Sequence, residues 1–133
     1  MMRFTYFKAL LLITTVLLQT GCLSTTVVNL TPSKLSRNAE SMYRFEAAWE
    51  SNQKSIQDDS IEGYVVMDEV QYPMKKVQVV KDRWEALIPL NPASEGYIYH
   101  LKFDFIYVSN PEPKPNSLRT KHFSLTIVEP NAR

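Results

Sequence analysis

The sequence predicts an all-β protein: an antiparallel, two-sheet immunoglobulin-like sandwich of six to seven strands, with a small closed β-barrel as the alternative. Apolar and polar residues alternate with a period of two in several segments after residue 26, which is typical of half-buried strands. Polar segments rich in turn-forming residues separate these alternations. The composition, 44% hydrophobic and 22% charged, is that of one globular domain.

The first half of this domain contains three predicted strands. A short strand covers residues 27–30 and ends at the Thr31-Pro32 pair. After a polar loop at 33–41, residues 43–49 alternate cleanly between large apolar and polar side chains. A second polar loop, residues 51–60, leads to a strand at 61–67 that is apolar on both sides, which indicates a central position.

The second half begins with an extended segment at an edge, because Pro73 cannot donate a ladder hydrogen bond. The longest alternation, residues 97–107, places six large apolar or aromatic residues on one side and predicts a core strand. In order, the predicted elements are an edge strand at 72–80, a turn at 81–82, strands at 84–90 and 97–107 joined by a turn at 91–96, a stiff proline-rich loop at 110–119 and a last strand at 123–127.

A strand containing Trp84-Glu85-Ala86-Leu87-Ile88-Pro89 is followed by Tyr97-Ile98-Tyr99-His100-Leu101-Lys102-Phe103. This order of a tryptophan strand, a turn and a Tyr-x-Tyr strand resembles immunoglobulin-like domains of the early-set type, which occur beside carbohydrate-active enzymes. The resemblance implies the sandwich fold. The chain departs from antibody-type domains because its one cysteine cannot form their inter-sheet bridge.

The first 21 residues read as an export signal. Arg3 and Lys8 give the start a positive charge, and residues 9–18 are apolar except for Thr14 and Thr15. An apolar run of ten residues is too short to cross a bilayer, since a spanning helix needs about 20. Gly21 supplies the small residue expected before a cleavage point.

Cys22, the only cysteine, directly follows this run. The stretch Leu17-Leu18-Gln19-Thr20-Gly21-Cys22 resembles the lipobox of bacterial lipoproteins, although Gln19 stands where that motif has an apolar residue. The resemblance implies a diacylglycerol thioether on Cys22, cleavage before it, and an acyl chain such as palmitate on the new amine. Leu23, which is not Asp, implies the outer membrane of an enteric-type envelope. The alternative is an ordinary signal peptide that leaves a free thiol.

The predicted organisation is therefore a signal peptide at 1–21, a lipidated cysteine and tether at 22–26, and a sandwich at 27–130. Cleavage removes two basic residues and no acid, which leaves 13 Lys and Arg against 14 Asp and Glu. Nucleic-acid binding needs a concentrated basic surface, so we do not expect it.

No residues are assigned to catalysis, to a metal or to a cofactor. His100 and Asp104 share the outward side of one strand with Lys102 between them, but a metal site requires further ligands. Asp58-Asp59 lies in a solvated loop, His122 precedes the last strand, and the sequence contains no Gly-x-Ser-x-Gly elbow. An enzyme is therefore not predicted.

Two binding functions remain. The first is a non-catalytic interaction or structural module, held at the membrane by Cys22 and accessory to a larger envelope assembly with a protein partner. The alternative is a carbohydrate- or peptidoglycan-binding module that stacks sugars on aromatic rings. Trp49 and Trp84 fall on the apolar side of their strands and are predicted to be core, whereas Tyr64 and Tyr72 are predicted to lie outside.

Immunoglobulin-like topology also predicts the orientation of the loops. Residues 51–60 and 110–119 would face the membrane, and residues 33–41, 91–96 and the C-terminus would face away. Lys114, Arg119 and Lys121 would then lie close to anionic headgroups. The alternative is that the proline-rich loop is merely rigid and prevents edge pairing between molecules.

Overall fold

The structure, a computed structural model, describes residues 21–130, so the predicted signal peptide lies outside the described residues except for Gly21. The all-β prediction is confirmed, and the described chain contains a single turn of 3-10 helix at Asp58–Ser60. The strands are β1 (Thr25–Asn29), β2 (Lys34–Ser36), β3 (Met42–Ser51), β4 (Glu62–Met67), β5 (Val70–Pro73), β6 (Lys75–Lys76), β7 (Arg83–Pro89), β8 (Gly96–Tyr107), β9 (Lys114–Arg119) and β10 (Phe123–Val128).

The strands form two open sheets, so the sandwich is confirmed and the closed-barrel alternative is wrong. One sheet has the order β1-β3-β7-β6; the other has the order β2-β10-β8-β4-β5, with β9 also paired to β8. Numbered in the immunoglobulin manner, these orders are A-B-E-D and A′-G-F-C-C′, with β9 and β10 together in the position of G. All pairings are antiparallel except that of β2 with β10, which is parallel.

Three predicted segments have a different structure, and the number of strands is ten rather than six or seven. The predicted loop 33–41 contains β2, and the predicted loop 110–119 contains β9, which pairs with the second half of β8. The predicted strand 72–80 is divided between the end of β5 and β6, which lie in different sheets, and residues 77–80 belong to a loop. The chain crosses between the sheets at Met74, which is buried and donates its N–H to the Gly63 carbonyl at 2.8 Å.

Aromatic side chains fill the space between the sheets. Phe103 on β8 contacts Trp49 and Trp84 of the opposite sheet, with ring centroids 5.3 and 5.5 Å away. The predicted core position of both tryptophans is confirmed. Tyr72, predicted to lie outside, instead packs against the core because it is paired with the inward residue Val65.

Three loops meet at the end of the sandwich that carries Cys22, which we call the anchor end: residues 52–61, 77–82 and 108–113. Trp49 near the end of β3 donates its N–H to Asp82, and Val108 donates to the Ser55 carbonyl. The opposite, distal end holds residues 37–41, the β4–β5 turn and residues 90–95. Within the described range, no helix has the length and apolar character needed to cross a bilayer.

Candidate functional site

The outer face of the six-stranded sheet contains a cleft of about 430 Å³, which we call the sheet-face cleft. Because side chains alternate along a strand, β8 directs Tyr99, Leu101 and Phe103 into the core and the residues between them outward. Ile98, exposed between polar neighbours, forms part of the lining. The complete lining is Val66, Asp68, Glu69, Gln71, Ile98, His100, Lys102, Arg119 and His122.

A break between β9 and β10 brings His122 to this cleft. Thr120 still donates its backbone N–H to the Leu101 carbonyl at 2.9 Å, but its side-chain oxygen, not its carbonyl, accepts the Leu101 N–H, also at 2.9 Å. The same hydroxyl donates to the Lys121 carbonyl at 2.9 Å. After this kink His122 lies edge-on to His100, with ring centroids 5.1 Å apart.

Next to the histidines, the charged groups of this face are linked to one another. Lys102 donates to the Asp104 carboxylate at 2.8 Å, and its ammonium lies 5.5 Å from the centre of the Tyr64 ring. Burial acts to raise the pKa of Asp104, but hydrogen bonds from Lys102 and Ser117 and the charges of Lys102 and Arg119 outweigh it, so this pKa is lowered. Asp104 therefore stays ionised and neutralises Lys102.

Tyr64 makes a similar link on β4. Its hydroxyl donates to Glu62 at 2.8 Å, and this bond, followed by burial, raises the pKa of Tyr64. The phenol is therefore neutral at physiological pH and acts as a donor. Lys102 lines the anchor side of the cleft, and Tyr64 is its partner on β4.

The distal border of the cleft is the two-residue turn between β4 and β5. Asp68 and Glu69 both have positive φ, 49° and 66°, as a type I′ hairpin turn requires. Met67 pairs with Val70, so the turn is tight and holds its two carboxylates beside the cleft. The cleft thus combines cationic, acidic and apolar groups, an arrangement suited to a polar partner with some apolar surface.

The histidine pair predicts a specific dependence on pH. Burial lowers the pKa of His100 below its usual value, and the nearby charges of His122 and Arg119 lower it further. Replacing His122 with glutamine should raise the pKa of His100, because a neighbouring positive charge is removed. NMR titration of the His100 imidazole measures this change. A value unchanged by the substitution, or one above the usual range in the unaltered protein, would contradict it.

The same shift has a consequence for stability. Below about pH 6.5 the unfolded chain takes up a proton on His100 more readily than the folded protein does, so the contribution of His100 to stability falls with the pH. His100→Gln should therefore reduce the loss of stability between about pH 7.5 and 5, measured by urea unfolding.

The structure separates most of the residues considered for chemistry in the sequence. His100 and Asp104 lie on the same face, as predicted. Lys102, which lies between them, donates a hydrogen bond to the Asp104 carboxylate. Asp58 and Asp59 form the 3-10 turn and are far from the histidines in the sheet. Among residues 21–130, no group of three or more potential ligands is placed to hold a metal ion.

The basic residues considered for headgroup contact are also separated. Lys114 pairs with Tyr107 near the anchor end, but Arg119 pairs with Lys102 in the middle of the sheet. Arg119 lines the sheet-face cleft, and Lys121 follows it in the break that leads to His122. The three cations do not lie in one loop, because Lys114 and Arg119 are the two ends of β9; their contact with headgroups stays a prediction.

An aromatic stacking platform is not formed by the described residues. Trp49 and Trp84 are buried, and every other described Phe or Tyr ring except that of Tyr64 points inward or packs against the core. Tyr64 is the one phenol or indole found on an outer sheet face in this range, and Lys102 lies over its ring. The carbohydrate alternative therefore gains no support from the ring geometry.

Cys22 is exposed at the anchor end, and it is fixed to the domain through its backbone. Its carbonyl accepts a hydrogen bond from the Asn52 side chain at 2.9 Å, and Asn52 also accepts the Ser24 N–H at 2.8 Å. β1 begins at Thr25, two residues earlier than predicted, so the tether is shorter. The thiol is free of these contacts.

The sheet-face cleft was not predicted from the sequence, although His100 was placed on an outward face. The sequence signal that could have found it is that Arg119 and His122 lie close together, at the end of a segment after the prolines that is long enough to form a strand. Comparison of the chain with protein-family models, with curated proteins and with solved structures gives no match.

Proposed function

We propose that this protein is a lipid-anchored, non-catalytic interaction module of the bacterial cell envelope that binds a protein partner through the sheet-face cleft. The lipid is carried by Cys22, and the domain faces the periplasm from the outer membrane. The observation that carries the binding role is the convergence of Ile98, Arg119 and the histidine pair on one cleft of the sandwich.

The cleft has the chemistry of a protein-binding surface. Ile98 is 64% exposed, and the polar side chains that border it come from three strands, the β4–β5 turn and the break that carries His122. An apolar centre with a polar rim, and an arginine within reach, is the usual anatomy of such an interface. The outer face of the other sheet differs, because its arginines are paired across strands: Arg83 with Glu46 at 3.3 Å and Arg44 with Glu85 at 3.7 Å.

The lipid anchor is supported by the state of Cys22. A site for lipid attachment must leave the thiol reachable, and Cys22 is exposed while its backbone is held at one end of the domain. The intact mass of the mature protein, purified from membranes in detergent, tests this part directly. We expect a chain that starts at residue 22 and carries two or three acyl chains; a free thiol at residue 22 would refute it.

A matched pair of substitutions tests the binding role. Ile98→Asp places a charge in the cleft and should reduce recovery of the crosslinked partner by about fivefold, equivalent to about 1 kcal/mol. Leu87→Asp is the control, since Leu87 is 59% exposed on the outer face of the other sheet. The measurement is the yield of partner after mild crosslinking in whole envelopes and purification of the tagged protein.

Two outcomes would count against binding at the cleft. One is an equal loss of partner in both variants, and the other is a protein recovered only as a free monomer under every crosslinking condition. Because both side chains point away from the core, the free energy of unfolding should change by no more than about 0.5 kcal/mol in either variant.

A further inference from the structure

The anchor end carries exposed apolar side chains that the core does not use. Leu23 is 72% exposed and Val79 is 92% exposed, and Val80 and Val108 are exposed beside them in sequence or in the neighbouring loop. These four are half of the eight large apolar side chains exposed among residues 21–130. Isolated exposed residues are ordinary, and what distinguishes these four is that they all lie at the anchor end.

The loops hold these side chains in defined positions. Val77 donates its N–H to the Arg83 carbonyl at 2.8 Å, which closes residues 78–82 into a loop with Val79 and Val80 in it. Val108 is bound to Ser55, and residue 55 follows shortly after Asn52, which holds the backbone of Cys22. The apolar side chains and the cysteine therefore project from the same end.

The tether is too short to keep this end away from a bilayer. Only Leu23 and Ser24 separate Cys22 from β1, and Ser24 is itself bound to Asn52. Acyl chains on Cys22 would draw the anchor end to the membrane surface, where buried apolar side chains stabilise the contact.

The charge of the anchor end does not favour attraction to anionic headgroups as the cause. Its three loops contain two lysines, Lys54 and Lys81, and four acidic residues, Asp58, Asp59, Asp82 and Glu112. The remaining interaction with lipid is apolar, and it should persist at high salt.

We propose that the sandwich stands end-on on the bilayer, with Val79, Val80 and Val108 inserted at the lipid interface next to the acylated cysteine. This rests on the proposed lipid anchor. It also has a consequence for the sheet-face cleft, which then opens sideways into the periplasm rather than toward the membrane.

The test uses the chain from residue 22 onward, which contains both sheets and all of the described core, coupled through the Cys22 thiol to a maleimide lipid in phosphatidylcholine vesicles. Chemical coupling supplies the tether whether or not the cell lipidates Cys22, so the native mass measurement and this experiment can fail separately. Paramagnetic lipid should broaden the amide signals of Val79, Val80 and Val108 at least about tenfold more than those of Leu87 and Ile98.

The double substitution Val79→Asp with Val80→Asp should reduce the broadening at Val108 by about fivefold, while Leu87→Asp leaves it unchanged. Broadening that survives high salt and does not grow when anionic lipid is added supports the proposal. Uniform broadening over the domain, or broadening confined to residues 37–41 and 90–95, would overturn it. So would contact that appears only with anionic lipid.

Discussion

Replacing Cys22 with serine should abolish lipid attachment and remove the protein from the outer-membrane fraction, without weakening the fold. The backbone of residue 22 is bound by Asn52, but the thiol contacts nothing that a hydroxyl would disturb. We therefore expect a free energy of unfolding within about 0.5 kcal/mol of the unaltered protein. Membrane association, in contrast, should fall from nearly complete to background.

The experiment needs a correct comparison, because a precursor that is not processed can remain in the membrane through its leader. The variant carrying Cys22→Ser should therefore be exported behind a conventional cleavable signal peptide, beside the same fusion with Cys22 retained and the protein with its own leader. Intact mass and fractionation of all three are measured. If the exported Cys22→Ser variant gains acyl mass, or reaches the outer membrane after cleavage, the anchor is not on Cys22.

Gln19→Leu is the matched control for the leader itself. It restores the apolar residue that the lipobox has at this position, so the fraction of processed protein should rise or stay constant. This substitution separates a defect in processing from the loss of the attachment site. A fall in processing would show that Gln19 is required, contrary to the resemblance.

The core strands were predictable because their patterns are long and their burial is one-sided. β8 alternates over eleven residues, and every inward residue from Tyr99 to Phe105 is buried. β3 behaves in the same way from Tyr43 to Trp49. In both strands the alternation of apolar and polar residues matches the alternation of side chains along a pleated strand. Packing against the opposite sheet favours the same register.

The edges of the sheets were poorly predicted because edge strands need little apolar pattern. β9 runs Lys114-Pro115-Asn116-Ser117-Leu118-Arg119, in which only Leu118 packs against the core. Its proline is tolerated because the strand is paired on one side only, with β8. β2 is three residues long and pairs in parallel with β10, a contact set by the distant end of the chain.

The β4–β5 hairpin was missed for a different reason. A two-residue type I′ turn favours Asn-Gly or Asp-Gly, and this turn uses Asp68-Glu69, with positive φ at a residue that has a side chain. Without a glycine at these two positions, the sequence shows only polar residues there and no clear signal for a hairpin turn. The cleft could not be predicted for the same reason, because its borders are this turn and the break at Thr120.

Gly63→Ala should destabilise the domain, even though alanine is normally the better residue in a strand. A Cβ built on Gly63 lies 2.7 Å from Cε1 and 2.8 Å from Cζ of Phe103. Phe103 is fully buried and held between Trp49 and Trp84, so its ring has no free space into which to move. Overpacking of this kind costs about 1–3 kcal/mol, partly offset by the lower backbone entropy of alanine.

The expected net loss is about 1–2 kcal/mol, or a thermal midpoint lower by about 5–10 °C, measured by calorimetry and urea unfolding. Gly96→Ala is the matched control: the Cβ there meets nothing within 4 Å, so stability should be unchanged or slightly higher. Gly63→Val should cost more than Gly63→Ala, since it adds two further methyl groups to the same contact.

A double-mutant cycle identifies the cause. Phe103→Leu removes the ring edge that the new methyl group would meet, so the cost of Gly63→Ala should shrink when both changes are present. A coupling free energy of about 0.5–2 kcal/mol in this favourable direction is expected for residues in direct contact. Additive costs would mean that Gly63 is required for something other than room for Phe103, its partner across the β4–β8 pair.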